Sequence, residues 1–282
     1  MTQRFSKTVR DKVVQLVGPP YLSAVGRLES GVIRVLLVHD VTSDTLDWFT
    51  GVVEWIERNG GFLTPNEAQS FFRARVWPGP RYLLTFDDGF QSSFKAAREI
   101  LEPRGIKVVF FVCPNFIGLR SHEAERFVRD FIFEGKQLPL SQDLCAMTWE
   151  EVESLLKAGH TIGSHTLTHA RLSNVKDHER LHGEIVTSRD ILNARLGVPV
   201  TWFAYPFGSI DSMSRKAHQL ISDNYEFCCT NIRGHHLAGD EPSLIWRESL
   251  SGFEDLSYTK LVMRGVLDWR YYRRRKELLE SY

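Results

Sequence analysis

Two clusters of side chains able to do chemistry stand out along the chain. The first is Asp87-Asp88-Gly89, which ends the apolar run Leu83-Leu84-Thr85-Phe86. A short apolar run before a turn has the pattern of a buried parallel strand. In α/β folds, reactive groups sit just past the carboxyl ends of such strands. Neighbouring carboxylates repel each other unless a cation or a shared proton separates their roles. Taken alone, the stretch reads first as a solvated Asp-Asp-Gly turn. The second cluster, His165-Thr166-Leu167-Thr168-His169, changes that reading; it follows the strand-like segment from Gly159 to Ser164. Histidines four apart share one face of a helical turn, close enough to grip one ion. Two imidazoles and one carboxylate leave a coordination position open, the layout of a catalytic site rather than a structural one.

The elements that must position these groups alternate between strand and helix patterns, the mark of a parallel sheet. Val32 to Val38 reads as a first strand ending at His39-Asp40, where the His can cap the strand end. Phe49, Val52, Val53 and Ile56 recur at helical spacing and stop at Asn59-Gly60-Gly61. Phe94, Ala97 and Leu101 form another helical face, closed by Pro103 and Gly105, and Lys107 to Val112 is the third strand. A long connection from Pro114 to Met147 holds a helix over 123–133 and is either a packed insertion or a lid or substrate-side wall. Thr148 and Glu151 form a capping box. Leu181, Ile185, Leu192 and Leu196 stripe a longer helix that ends before Gly197. Further strands are expected at Val200 to Ala204, Glu226 to Thr230 and Ser243 to Arg247. The tail from Glu254 reads as helical, with Val262, Val266 and Trp269 spaced to pack on the rest. It ends in Arg270, Arg273, Arg274, Arg275 and Lys276 among Trp269, Tyr271 and Tyr272. Two accounts stay open there: peripheral contact with an anionic membrane surface, or a solvated helix end offsetting its dipole.

At 282 residues, 43% hydrophobic and 25% charged, the chain can bury a large single core. Zero formal net charge argues against a nucleic-acid binder, which needs a basic face for phosphates. Cys113, Cys145, Cys228 and Cys229 match no zinc ribbon, and adjacent Cys228-Cys229 is a poor disulfide pair. They read as small buried residues of a reducing compartment. Met1 to Gly18 lacks a signal-peptide core and no segment has the length of a membrane span. The expected location is therefore the cytoplasm, with contact at the inner membrane face as the peripheral option.

Thr85-Phe86-Asp87-Asp88-Gly89, His165-Thr166-Leu167-Thr168-His169 and Phe203-Ala204-Tyr205-Pro206-Phe207-Gly208 resemble the first three motifs of the polysaccharide deacetylases, the chitooligosaccharide-deacetylase homology group. The resemblance covers roughly residues 32–250 in motif order. It implies an α/β fold: a distorted, seven-stranded (β/α) barrel in one domain. An N-terminal extension (1–31) would pack on it, with an insertion at 114–147 and a C-terminal helix over 251–282. The implied activity is metal-dependent removal of an N-acyl group, acetyl or formyl, from an amino sugar; the expected cytoplasmic location makes that a sugar nucleotide or a lipid-linked saccharide in glycan assembly. Asp88, His165 and His169 are the implied metal ligands, with zinc the default and cobalt, nickel or manganese also accepted by such sites. Asp87 is the implied general base, and the Phe207 N–H the implied oxyanion donor.

Two departures from the pattern carry consequences. Ala204 stands where the family commonly has an Arg that pairs with the base. Arg247 either supplies that cation from a later strand or is a surface residue. The family's closing leucine-x-histidine, whose His protonates the leaving amine, has no clear counterpart. His39, His235, His236 or a water on the metal are the candidates for that proton. The missing His also motivates a second reading, a non-catalytic barrel that keeps its metal and binds a saccharide. Trp149 and Trp202 are either sugar-stacking surfaces or core.

Overall fold

The computed structural model describes residues 31–79, 81–135 and 145–282. The expected N-terminal extension and the middle of the insertion, 136–144, lie outside the described residues. Seven parallel strands make the sheet: β1 (Val32–Val38), β2 (Tyr82–Phe86), β3 (Val109–Val112), β4 (Thr161–Ser164), β5 (Trp202–Ala204), β6 (Phe227–Cys229) and, after the two-residue β7 (His236–Leu237), β8 (Arg247–Ser249). Each of β1 to β5 pairs in parallel with the next. The ring closes through the last strand, since Ile245 bridges Cys229 and Arg247 to Ser249 then pair in parallel with Val35 to Leu37. β7 adds antiparallel to the start of β1.

Strands covered on both faces read as unbroken apolar runs, and β1 and β2 are buried throughout. Successive side chains point to opposite faces. Ile33, Val35, Leu83, Val109, Phe111, Trp202 and Ile245 therefore fill the barrel interior, while Leu36, Val38, Leu84, Phe110 and Val112 meet the surrounding helices.

The outer layer starts with α1 (Leu46–Arg58) and α2 (Pro65–Arg73). Then come α3 (Gln91–Ala96, widening into an i→i+5 turn at Ala97–Leu101), α4 (Ser121–Phe127, widening likewise at Val128–Ile132) and α5 (Trp149–Lys157). α6 (His178–His182) runs on through Gly183–Thr187 to Ser188–Leu196 and stops at left-handed Gly197. α7 (Arg215–Ser222), α8 (Leu256–Met263) and α9 (Asp268–Ser281) complete it. The Thr148–Glu151 capping box forms as expected. A second one, Thr64–Glu67 with Pro65 in the first turn, opens α2, a helix the hydrophobic spacing did not announce.

The tail departs from the expected single helix. Gly265, at φ +88°, breaks it into α8 and α9 and shifts the phase of the buried stripe. Val262 and Val266 pack inward as expected, but Trp269 is 63% exposed and Asp268 and Leu278 are buried instead. The insertion is packed: Phe116, Ala124, Phe127, Val128 and Ile132 form a small core with Phe90 and Cys113. All four cysteines are free, and Cys145 is only half-buried. Among the described residues no helix is long and apolar enough to cross a membrane.

Candidate metal and catalytic site

Strand alternation puts Leu83, Thr85 and Asp87 on the inward face of β2, so Asp87 arrives inside the barrel at its carboxyl end. Arg247, inward on β8, is fully buried and meets it. Its Nη1 donates to Asp87 Oδ1 at 2.7 Å and its Nη2 to Oδ2 at 2.8 Å. Thr85 Oγ1 (3.1 Å) and the Thr230 carbonyl (2.8 Å) take two more of its donors. Burial pushes the Asp87 carboxyl up, but the Arg247 guanidinium and then His165 pull it below the usual carboxylate value. Arg247 is thus no surface residue, and it occupies the role left vacant at Ala204.

Asp88 is left-handed at φ +74°, followed by Gly89 at +98°. That φ favours glycine, and a Cβ there would also press on the tip of the Ile117 side chain at 2.8 Å. This turn swings the Asp88 carboxylate to 3.4 Å from His165 Nε2 and 3.3 Å from His169 Nε2. Each imidazole is held from behind: His165 Nδ1 lies 2.8 Å from the Ala204 carbonyl, and His169 Nδ1 lies 3.1 Å from the Phe131 carbonyl. A carbonyl only accepts, so the proton belongs on Nδ1, and in the neutral ring Nε2 is left as a lone-pair donor to a metal. Both Asp88 oxygens are buried without a hydrogen-bond partner. Three buried acceptors within 4.8 Å of one another, with no donor between them, fit a cation.

The expected helical turn for the histidine pair is not what forms. Residues 165–170 are loop, with Thr166 at φ +64° and His169 at +59°. The reason is Glu184, buried on the middle of α6. Its carboxylate accepts from Thr168 N at 2.9 Å and Thr168 Oγ1 at 2.5 Å, and its carbonyl accepts from Leu167 N at 3.0 Å. Two left-handed residues then turn both rings the same way without a helix. Among the described residues, four of the six non-glycine residues with positive φ belong to the three motifs: Asp88, Thr166, His169 and Phe207. Strained backbone of this kind persists where its surroundings over-determine it.

Phe207 (φ +63°) precedes Gly208, which has no room for a Cβ against the Asn231 backbone. The Phe207 ring sits edge-on to His169 at 4.8 Å, and the Arg171 guanidinium lies over it at 4.0 Å. The candidate acids separate. His236 pairs with Ile33 at the start of β1, roughly 17 Å of strand from the catalytic end. It accepts from Trp246 N at 2.8 Å, while His235 is tied to Asp268 at 3.0 Å. His39 follows the carboxyl end of β1, where Val38 pairs with Phe86 and the Val38 carbonyl accepts from Asp87 N at 3.2 Å, so it leaves the sheet at the same end as the aspartate pair. Trp202 is core, stacked on Phe227 at 4.5 Å, and Trp149 packs beneath Arg195. Residue types alone gave no sign of Glu184 or Arg171, because their value here lies in what the loops bring to them.

The polysaccharide deacetylase family model matches residues 76–222, just over half of the chain and all three motifs. A Bacillus subtilis relative named for polysaccharide deacetylase, YxkH, is 23% identical over 190 residues, 65% of this chain; the chain spans 59% of that relative's length. The Streptococcus pyogenes deacetylase PplD, solved in complex with acetate, superposes with a TM-score of 0.66 at 18% identity, covering 83% of this chain and 99% of that one. IcaB from Ammonifex degensii does so with 0.64 at 19%, covering 85% and 100%. At those identities the structural likeness is one of fold. With the aspartate pair, the histidine loop and the Phe207 turn all inside the matched span, the chain belongs to the polysaccharide deacetylase family.

Proposed function

We propose that the protein is a metal-dependent hydrolase that removes an acetyl or formyl group from the nitrogen of an amino sugar. The observation that carries this is the trio of buried acceptors Asp88, His165 and His169, with no donor among them, beside an Asp87 held by Arg247. Those three would hold a divalent cation, zinc by donor type although cobalt, nickel or manganese suit the same set, and when bound it supplies polarisation of the acyl carbonyl and a lowered pKa for the attacking water. Asp87 takes the proton of that water. Arg247 occupies one side of each carboxylate oxygen, leaving further lone pairs free to accept. The Phe207 N–H serves the carbonyl oxygen as negative charge develops on it. A C–O bond forms to the acyl carbon first; the C–N bond then breaks as His39 delivers a proton to the departing amine. Of the three histidines His39 is the one left for that role, since His235 and His236 are committed elsewhere; a water on the metal is the alternative source of the proton.

Asp88→Ala and His169→Ala should each abolish bound metal and amine release together. Full turnover by chelator-treated, metal-free protein would sink the proposal. Saccharide binding without release of acetate or formate, across a broad panel of N-acyl sugars, would favour the non-catalytic barrel instead.

For substrate and place we propose a sugar nucleotide or lipid-linked saccharide, met in the cytoplasm at the inner membrane face. Support comes from four unpaired cysteines and from the exposed basic and aromatic face of α9.

A further inference from the structure

The two ligand histidines are steadied from different parts of the molecule. His165 leans on Ala204, at the end of barrel strand β5. His169 leans on Phe131, inside the insertion between β3 and β4. Phe131 lies in the last turn of the α4 segment, and closing carbonyls of a helix have no intrahelical partner and carry partial negative charge. One of them is taken by His169 Nδ1–H.

A second tie lies beside the first. Arg171, two residues beyond His169, forks onto Glu134 of the insertion, with Nε 2.7 Å from Oε1 and Nη2 3.0 Å from Oε2. Its Nη1 reaches Asp211 at 3.4 Å, and its guanidinium covers the Phe207 ring that packs against His169. The fork's side chains are 19% and 33% exposed, so water screens it less than an open surface pair.

We infer that the Arg171–Glu134 fork is a positioning device for the metal centre. It fastens the chain just beyond the insertion's helix to the histidine loop and so keeps the Phe131 carbonyl on His169. His169 needs such support because its left-handed backbone gives the ring no help from regular structure. The insertion thereby sets metal affinity rather than merely filling space beside the barrel. This inference rests on the reading of Asp88, His165 and His169 as a metal site. Loss of an outer partner of a ligating His typically weakens metal binding by about 10–100-fold. Here His165 stays anchored on the barrel, so the expected loss is at the lower end, about tenfold.

The test is a zinc titration of the chelator-stripped full chain against a competing chelator. Arg171→Ala, Glu134→Ala, the double variant and Arg73→Ala are compared with wild type. Arg73→Ala breaks an exposed pair with Glu226 (2.8 Å), away from the insertion, and serves as control. Each single variant should weaken zinc about tenfold at unchanged stoichiometry, the double variant no more than either single, and the control not at all. The ties act as one unit only if the cycle is non-additive. Single variants that bind zinc as tightly as wild type, or losses that simply add, overturn the inference while leaving the metal site standing. A wild type that takes up no zinc overturns the site reading, and this inference with it.

Discussion

A carboxylate shut away from water stays ionised only beside positive charge, and the partner of Asp87 is 160 residues further along the chain. The planar fork of Arg247 fixes both oxygens at once, which sets the direction of their remaining lone pairs as well as their charge. A lysine would keep the charge and lose the fork. Arg247→Lys should therefore leave zinc uptake intact and lower kcat by roughly 10–100-fold with little change in KM, a fraction of what a positioned base contributes. Steady-state rates on any N-acyl sugar that the wild type deacylates check this, and a kcat within twofold of wild type would show that aim is not what Arg247 supplies. Arg247→Ala should also cost about 3–5 kcal/mol of stability, because it strands a buried charge.

At the scale of elements, the histidine loop shows what was legible and what was not. The residues of the three motifs are short contiguous strings, so sequence displays them whole. The shape of the second motif is not displayed, since a spacing of four serves a helical turn and this left-handed loop equally. Glu184, sixteen residues after Thr168, decides between them, and a glutamate within a helical stripe looks like any solvated charge. Arg247 was readable as a strand-end residue, but only the closure of β8 onto β1 brings it to β2. The first turn of α2, a helix not expected from the hydrophobic spacing, did carry a signal in its capping residues Thr64-Pro65-Asn66-Glu67. Removing the anchor should expose its role. Glu184→Ala is expected to lose about 1–3 kcal/mol in denaturant melts, by leaving the Thr168 N–H and hydroxyl unpaired. It should also weaken zinc, whereas Ser188→Ala on the same helix, which breaks only the 2.8 Å contact with Ser164, should spare zinc. Equal zinc affinity in the two variants would reduce Glu184 to a generic core contact.

For the molecule as a whole, α9 is the element with two unlike faces. Inward, Asp268 accepts from Arg34 Nη1 at 3.1 Å and Nη2 at 2.6 Å, and buried Leu278 seals the far end. That buried pair on β1 fixes which side of the helix turns outward. Outward stand Trp269 and Tyr272, each 63% exposed, and Leu279 at 61%, three of the eight large apolar side chains exposed among the described residues. Arg270, Arg273, Arg274 and Lys276 are exposed with them, against Glu277 and Glu280. Aromatic rings that settle at a headgroup boundary, and cations each contributing about 1 kcal/mol near anionic lipid, suit a bilayer surface. A solvated helix end would need the charges but not the rings. The full chain should therefore sediment with vesicles containing phosphatidylglycerol, stay in solution with pure phosphatidylcholine, and be released as salt shortens the Debye length. Trp269→Ala with Tyr272→Ala should weaken that binding while zinc content and melting stay at wild-type levels, since neither ring touches the core. Sedimentation that ignored lipid charge, or that survived loss of both rings unchanged, would return α9 to the role of a barrel cover whose outer face meets only water.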